Sequence, residues 1–303
     1  MPGHYSPAEP PAAPPRLHHA GPPGSPRIQS YKSRSISALQ SLRSGALLTE
    51  ELLRITSSLG VTAAYAELSS GMLSPLHYCV PAPSDHKRCV SFSEERITKE
   101  GHLVYGSATI GTRDGRPFIH SHLHWSDDRG RALGGHIFPA TVVGSPAPVA
   151  AVVGLLDAEW TSIDDPETFM PTFVPSASRT KEPLMTDQYS TVTVSRVLPN
   201  EDITEAVLSV CRKAGYSKAV VRAGLGSLIG ARLTDATGQV RQVDGPGTEI
   251  ITLTGFVKTG DNGLEAQLTT TLVDRHGEIH SGRLLPGENP VAVTFELTLQ
   301  PAL

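Results

Sequence analysis

Residues 118–136 read Phe-Ile-His-Ser-His-Leu-His-Trp-Ser-Asp-Asp-Arg-Gly-Arg-Ala-Leu-Gly-Gly-His, with four imidazoles in seventeen positions. His120, His122 and His124 alternate with Ser121 and Leu123, so in an extended strand all three rings project from one face. Neighbouring rings on that face start roughly 7 Å apart, close enough for two to reach one ion, whereas His120 and His124 start roughly 13 Å apart. A third ligand is therefore better supplied by His136, returned on a facing strand after the turn at Asp127–Gly130. Two His from one strand and one from its neighbour suit zinc with an open fourth position. Imidazole also suits copper, iron and nickel, so the sequence does not name the metal. The competing reading is structural: imidazoles on a strand face can be solvated, or hydrogen-bonded between subunits.

A metal with an open position activates water or polarises a carbonyl, the chemistry of a hydrolase or a lyase. Asp127 is placed to steady a ligating imidazole, although Asp also initiates turns. His124 is a further candidate catalytic group, with Asp128, Glu94 and Glu95 as helpers if a loop brings them near. Arg116 and Arg131 flank the cluster and could hold a carboxylate or phosphate. The expected ligand is accordingly a small anionic molecule.

The elements that must position these groups follow from pattern. Residues 1–34 form a Pro-rich tail expected to be disordered, since little in its first 27 positions could offset the ordering cost of its backbone; His18 and His19 read there as solvated. Residues 161–187 contain four prolines and no clear period, and read as a linker, draped over a neighbour through Phe169, Met170 and Phe173. The blocks on either side repeat. Thr49–Gly60 aligns with Thr204–Gly215 at an offset of 155, and Asp127–Gly130 with Asp274–Gly277 at an offset of 147. Each block reads as a helix with Thr at its start and Gly60 or Gly215 at its stop, Glu50, Glu51 and Glu205 favouring the first-turn dipole. Strands follow, with hairpin turns at Asp114-Gly115 and Asp261-Asn262-Gly263. The fold class is α+β: two tandem domains, 35–160 and 188–303, each a mostly antiparallel sheet with a packed helix.

Composition narrows the partners. Charged residues make up 18% and net charge is −4, with pI near 6.3, which gives no general pull toward nucleic acid or anionic membrane. Cys79, Cys89 and Cys211 form no paired motif, so a reducing cytoplasm is expected. No apolar run approaches the roughly 20 residues of a membrane span, and the N-terminus lacks the order of a signal peptide.

His120-Ser121-His122, the Asp127–Gly130 turn and Gly134-Gly135-His136 together resemble the plants-and-prokaryotes-conserved (PPC) domain, whose signature runs H-x-H, D-x-x-G, G-G-H. Glu249–Gly255 and Pro290–Leu297 are similar to strands of the same family, so the resemblance covers both blocks. It implies a small α+β domain that assembles as trimers, and a zinc-holding cluster at His120, His122 and His136. It also implies DNA binding, a label that bacterial members carry by association. At the cluster positions the second block has Gln267, Thr269, Thr271 and Arg283, so its metal site is absent; His276 and His280 read as surface residues. Arg283 could bind an anion there or pair with Glu278. The readings are thus a metal-dependent enzyme, a DNA-binding or regulatory protein, and a non-catalytic ligand-binding or assembly module. The chain carries no basic flank for an AT-hook around Arg116-Pro117.

Overall fold

Alternating and continuous apolar runs become strands, and the two amphipathic segments become helices. The computed structural model describes residues 15–82, 84, 88–178 and 189–302. The first copy runs β1 (Ile28–Ser41), α1 (Leu48–Ser58), β2 (Ala64–Ser69), β3 (Leu76–Cys79), β4 (Gly101–Arg113), β5 (Arg116–Ser126), β6 (Ala132–Ile137) and β7 (Val149–Leu155). A hairpin follows, β8 (Ala158–Asp164) and β9 (Pro171–Ala177). The second copy is β10 (Ser190–Val197), α2 (Ile203–Ala214), β11 (Ala219–Leu228), β12 (Thr248–Gly260), β13 (Gly263–Val273), β14 (Ile279–Leu284) and β15 (Val291–Pro301).

Pairing gives β6–β5–β4–β2–β7–β1 in the first copy and β14–β13–β12–β11–β15–β10 in the second. The two orders are the same, and every pair is antiparallel. β1 and β10 join them, Ile28 opposite Val197 and Ser35 opposite Ser190. The duplication is therefore complete in topology. The tight turn at Asp114-Gly115, both with positive φ (51° and 73°), sets Arg113 opposite Arg116 and so fixes the register of β5.

Each helix covers its own sheet. Leu48, Leu52 and Ile55 of α1 recur on one face and are buried, as are Ile203, Val207, Val210 and Ala214 of α2. Asp202 caps α2 by accepting from the Thr204 and Glu205 amides, while α1 has no side-chain cap. Thr49 and Thr204 thus lie inside the first turns rather than at the caps. Gly215 ends α2 in the left-handed conformation.

Two expected boundaries are corrected. Of the supposed disordered tail, residues 1–14 lie outside the described residues, but 15–34 are ordered. The Leu17 amide donates to Asn200 Oδ1, the Gly21 amide to the Glu167 carbonyl, and β1 begins at Ile28 rather than after residue 34. Its backbone groups find partners far along the chain, and those contacts offset the ordering cost that favoured disorder. The supposed linker is strand over most of its described length. β8 and β9 pair from Ala158 opposite Ala177 to Asp164 opposite Pro171, and Asp165, Met170 and Phe173 are buried. Pro171 opens β9, and among the described residues the one strand that pairs with β9 is β8, positions a strand tolerates for proline. Residues 179–187 lie outside the described residues.

The copies also pack face to face. Ile251 and Val273 of the second copy belong to the core of the first, among Leu103, Leu123 and Trp125. Gly134 makes this approach feasible: a Cβ there would lie 2.7 Å from Ile251 Cδ1 and from Ile279 Cδ1. Arg222 of β11 crosses to Glu67 of β2, its Nε 3.1 Å from each carboxylate oxygen.

Candidate metal centre

His120 and His122 project from one face of β5, and β6 sets His136 directly opposite His122. The three rings converge, with centroids 4.7, 5.1 and 5.5 Å apart, and one ligand nitrogen from each lies within 4.8 Å of the others. The outer nitrogens of two rings are engaged. His122 Nδ1 lies 2.7 Å from the Ile250 carbonyl, which can only accept, so Nδ1 carries the proton. His120 Nδ1 lies 2.8 Å from Glu296 Oε2. Both Nε2 atoms therefore turn inward, and they meet at 3.0 Å.

With Nδ1 protonated, His122 Nε2 is left as an acceptor, which is filled either by a proton on His120 Nε2 or by a cation shared between the two nitrogens. A proton is disfavoured on His122, whose pKa is held well below the ordinary value by burial and by His120 and His136. Burial, with His120 adding to it, lowers His136 to about 3. Two nitrogens on one tetrahedral zinc stand about 3.3 Å apart, given Zn–N near 2.0–2.1 Å. The donor set and its spacing fit such an ion, and outer-nitrogen bonds of this kind are what orient ligating imidazoles.

The second copy completes the site. Glu249, the second residue of β12, lies with Oε1 3.5 Å from His122 Nε2. Glu296 stands inside β15, in a segment that is buried from Val291 to Leu299. Both carboxyl groups are 2% exposed, and burial drives the Glu249 pKa well above the usual carboxylate range. Neither residue stood out among the sequence motifs. The available signal was a carboxylate within the apolar run Val-Ala-Val-Thr-Phe-Glu-Leu, where a buried acid requires a reason. The cluster forms one end of a cavity of about 270 Å³, walled by Phe92, Phe118, Phe138, Met170, Phe173 and Val293. Cys79 lines it as a thiol, its pKa raised to about 12 by burial and by Glu249.

Other expected site residues lie elsewhere. His124, half-buried opposite Gly134, is neither in the three-His group nor on the cavity wall. Asp127 is consumed by its turn: Oδ1 accepts from the Arg129 and Arg131 amides, and Oδ2 from Arg131 Nε at 2.7 Å. That satisfies the carboxylate without any imidazole. Arg131 is thereby paired to Asp127, Arg116 is exposed beside the β4–β5 turn, and Arg283 is exposed on β14 opposite Thr269. The three arginines do not converge on the cavity. Glu95 bonds His77 rather than the cluster. In the second copy, Thr269, Thr271 and Arg283 do not form a metal-ligating group, but His280 is no idle surface residue: it bonds Asp274 at 2.9 Å, and with Glu278 these make a second potential ligand group.

Solved structures similar to part of this chain include three of the following description. A metal-containing protein from Archaeoglobus fulgidus is 19% identical, covering 46% of this chain and 93% of its own, with a TM-score of 0.39. A plant- and prokaryote-conserved protein from Pyrococcus horikoshii is 16% identical over 44% of this chain and 87% of its own, TM-score 0.36. A Ralstonia eutropha protein whose name proposes DNA binding is 20% identical over 45% and 89%, TM-score 0.37. No curated protein matches the chain. Among the described residues, no helix is long and apolar enough to cross a membrane. The Plants and Prokaryotes Conserved (PCC) domain description matches twice, at residues 30–154 and 185–302, and with most of the sequence inside those two matches the chain belongs to that family.

Proposed function

We propose that this chain binds one divalent transition metal, zinc fitting best, through His120, His122 and His136, and that the centre acts on a small molecule held in the adjoining cavity. The observation that carries the reading is the inward meeting of His120 Nε2 and His122 Nε2 at 3.0 Å while their outer nitrogens are held by Glu296 and Ile250. A metal bound there would supply Lewis acidity or an activated water, the chemistry of a hydrolase or lyase. The chain's own residues orient the imidazoles, exclude bulk water with the phenylalanine walls, and place Glu249 where it can hold a proton beside the ligand. His124 and Asp127 have no part in this version, and the anionic ligand expected from Arg116, Arg131 and Arg283 loses its support. Three free cysteines, two of them buried, accord with a reducing cytoplasm.

The test is elemental mass spectrometry on purified protein, wild type beside His122→Ala and His136→Gln. About one metal per chain, lost in both variants while the melting profile stays cooperative, supports the centre. No metal in wild type after reconstitution with zinc, copper, iron or nickel would overturn it. Light scattering tests the trimeric self-association that family resemblance implies. DNA binding would appear as salt-dependent retention on duplex DNA, a result that the net charge of −4 does not favour.

A further inference from the structure

The described residues build the same Asp-x-x-Gly turn three times. Asp127, Asp235 and Asp274 each accept on Oδ1 from the amides two and four residues on. Each also donates its own amide to the carbonyl four residues on. The glycine, at 130, 238 or 277, has positive φ (73°, 86° and 85°) and donates to the Asp carbonyl. The backbone thus consumes Oδ1 and leaves Oδ2 for a side chain. In two of the turns that side chain is a guanidinium. Arg131 Nε lies 2.7 Å from Asp127 Oδ2, and Arg241 Nε 2.8 Å from Asp235 Oδ2. A permanent cation there answers the charge of the carboxylate.

The turn at Asp274 departs from this pattern. At the offset of 147, Glu278 stands where the first copy has Arg131, and His280 where it has Leu133. The first exchange turns a cation into an anion; the second adds a nitrogen donor. Asp274 Oδ2 meets His280 Nε2 at 2.9 Å, and one ligand atom from each of Asp274, Glu278 and His280 lies within 4.8 Å of the others. Among the described residues no guanidinium pairs with Asp274 or Glu278. Arg275 turns its Nε to His276 at 3.4 Å. Arg96 of the first copy reaches the turn, its Nη1 3.8 Å from where a Gly277 Cβ would lie, without an ion pair there. The position that holds a cation in two turns therefore has an extra carboxylate and an imidazole in the third.

That donor set is one nitrogen and two oxygens. Imidazole favours divalent transition ions, whereas magnesium and calcium take oxygen ligands. Two ligand atoms on one such ion stand about 3.0–3.4 Å apart, from right-angle to tetrahedral geometry at bonds near 2.0–2.1 Å. The His280–Asp274 contact already approaches that spacing. The side chains of Asp274 and His280 are 8% and 25% exposed, and two backbone amides fix the Asp274 carboxylate. Glu278 is exposed and closes from the solvent side.

We propose that Asp274, Glu278 and His280 hold a second divalent transition metal ion, with water completing its coordination. The ion supplies to this turn the positive charge that Arg131 and Arg241 supply to the other two, and it ties β13 to β14. The site is separate from the three-ring centre, and none of its residues lines the cavity.

The experiment titrates zinc, and calcium as a control, by calorimetry into chelated full-length protein. Four forms are compared: wild type, His122→Ala, the pair Glu278→Arg with His280→Leu, and all three changes together. The pair rebuilds the turn that the chain already folds around Asp127, so lost binding is not lost fold, and a cooperative melt checks this. Wild type should take up two zinc equivalents, His122→Ala and the pair one each, and the triple variant none. Calcium should bind at the turn at least about ten-fold more weakly than zinc. Should wild type take up a single equivalent, its survival in His122→Ala and loss in the pair support the turn site and remove the three-ring centre alone. Equal uptake by the pair and wild type, or calcium binding as tightly as zinc, would overturn the proposal.

Discussion

Truncating Ile251 to alanine tests whether the two copies share one core. Ile251 lies on β12 of the second copy, is fully buried, and packs among first-copy residues that include Leu123 and Trp125. It also follows Ile250, whose carbonyl holds His122. Ile→Ala at a fully buried site costs about 3 kcal/mol, within a range of about 2–5, since the transfer term is lost and a cavity is left. Both tryptophans, Trp125 and Trp160, lie before the second copy and are buried, so their fluorescence reports the first copy and the β8–β9 hairpin. With a urea m-value of about 3 kcal/mol/M, the fluorescence midpoint should fall by about 1 M. Far-UV circular dichroism should follow the same transition. If the copies were independent, circular dichroism would gain an early phase while the tryptophan midpoint stayed at the wild-type value. That outcome would refute the shared core, and with it the account of why the site needs both halves.

Two further outcomes follow from buried charge. Glu51 is completely buried and its pKa is lowered to about 2, first by its hydrogen bond from Arg54 and then by Arg43 against the opposing cost of burial. A depressed carboxylate stabilises above its ordinary pKa, and the gain, up to about 3 kcal/mol, is lost as pH falls from about 4.5 toward 2. Glu51→Gln should therefore melt below wild type at pH 7, and the gap should shrink to about a quarter by pH 2.5; an unchanged gap would contradict the pairing. Arg196 bonds Asp165 at 2.5 Å with both side chains buried. Arg196→Leu should cost about 3–5 kcal/mol, because Asp165 is left uncompensated. In a double-mutant cycle with Asp165→Asn the two losses should be strongly less than additive, and additive losses would rule out a direct coupling.

Much of this architecture was legible because its signals are local. Alternation in residues 118–126 marks β5, and the spacing of His120 and His122 with a return at His136 marks the ring cluster, all within one hairpin and its neighbour. The duplication was legible from the offsets 155 and 147, which recur between β2 and β11 and between β5 and β13. Glu249 and Glu296 were not, because they reach the rings from more than 100 residues away and follow no motif with them. The β8–β9 hairpin was hidden by Pro166, Pro171 and Pro175, which read as a break until Pro166 falls in its turn and Pro171 at a strand start. The strap at 15–27 was hidden likewise, since its order depends on Asn200, Glu167 and Ala292. Asp127 misled for the opposite reason: its position beside the rings is sequential only.

The division of the site between the copies has a consequence for stoichiometry. The first copy's counterparts of β12 and β15 are β4, Gly-His-Leu-Val-Tyr-Gly-Ser-Ala-Thr-Ile-Gly-Thr-Arg, and β7, Val-Ala-Ala-Val-Val-Gly-Leu, and neither carries a carboxylate. The second copy lacks the three rings. Each half thus holds what the other is missing, and among the described residues duplication has produced one asymmetric cluster of imidazoles and carboxylates rather than two equivalent ones. Two identical first halves would bring imidazoles without their acidic counterparts, and two second halves the reverse. Only unlike halves complement each other, so the peptide connection through residues 178–189 does more than tether: it guarantees that every imidazole cluster meets its carboxylates at a ratio of one to one.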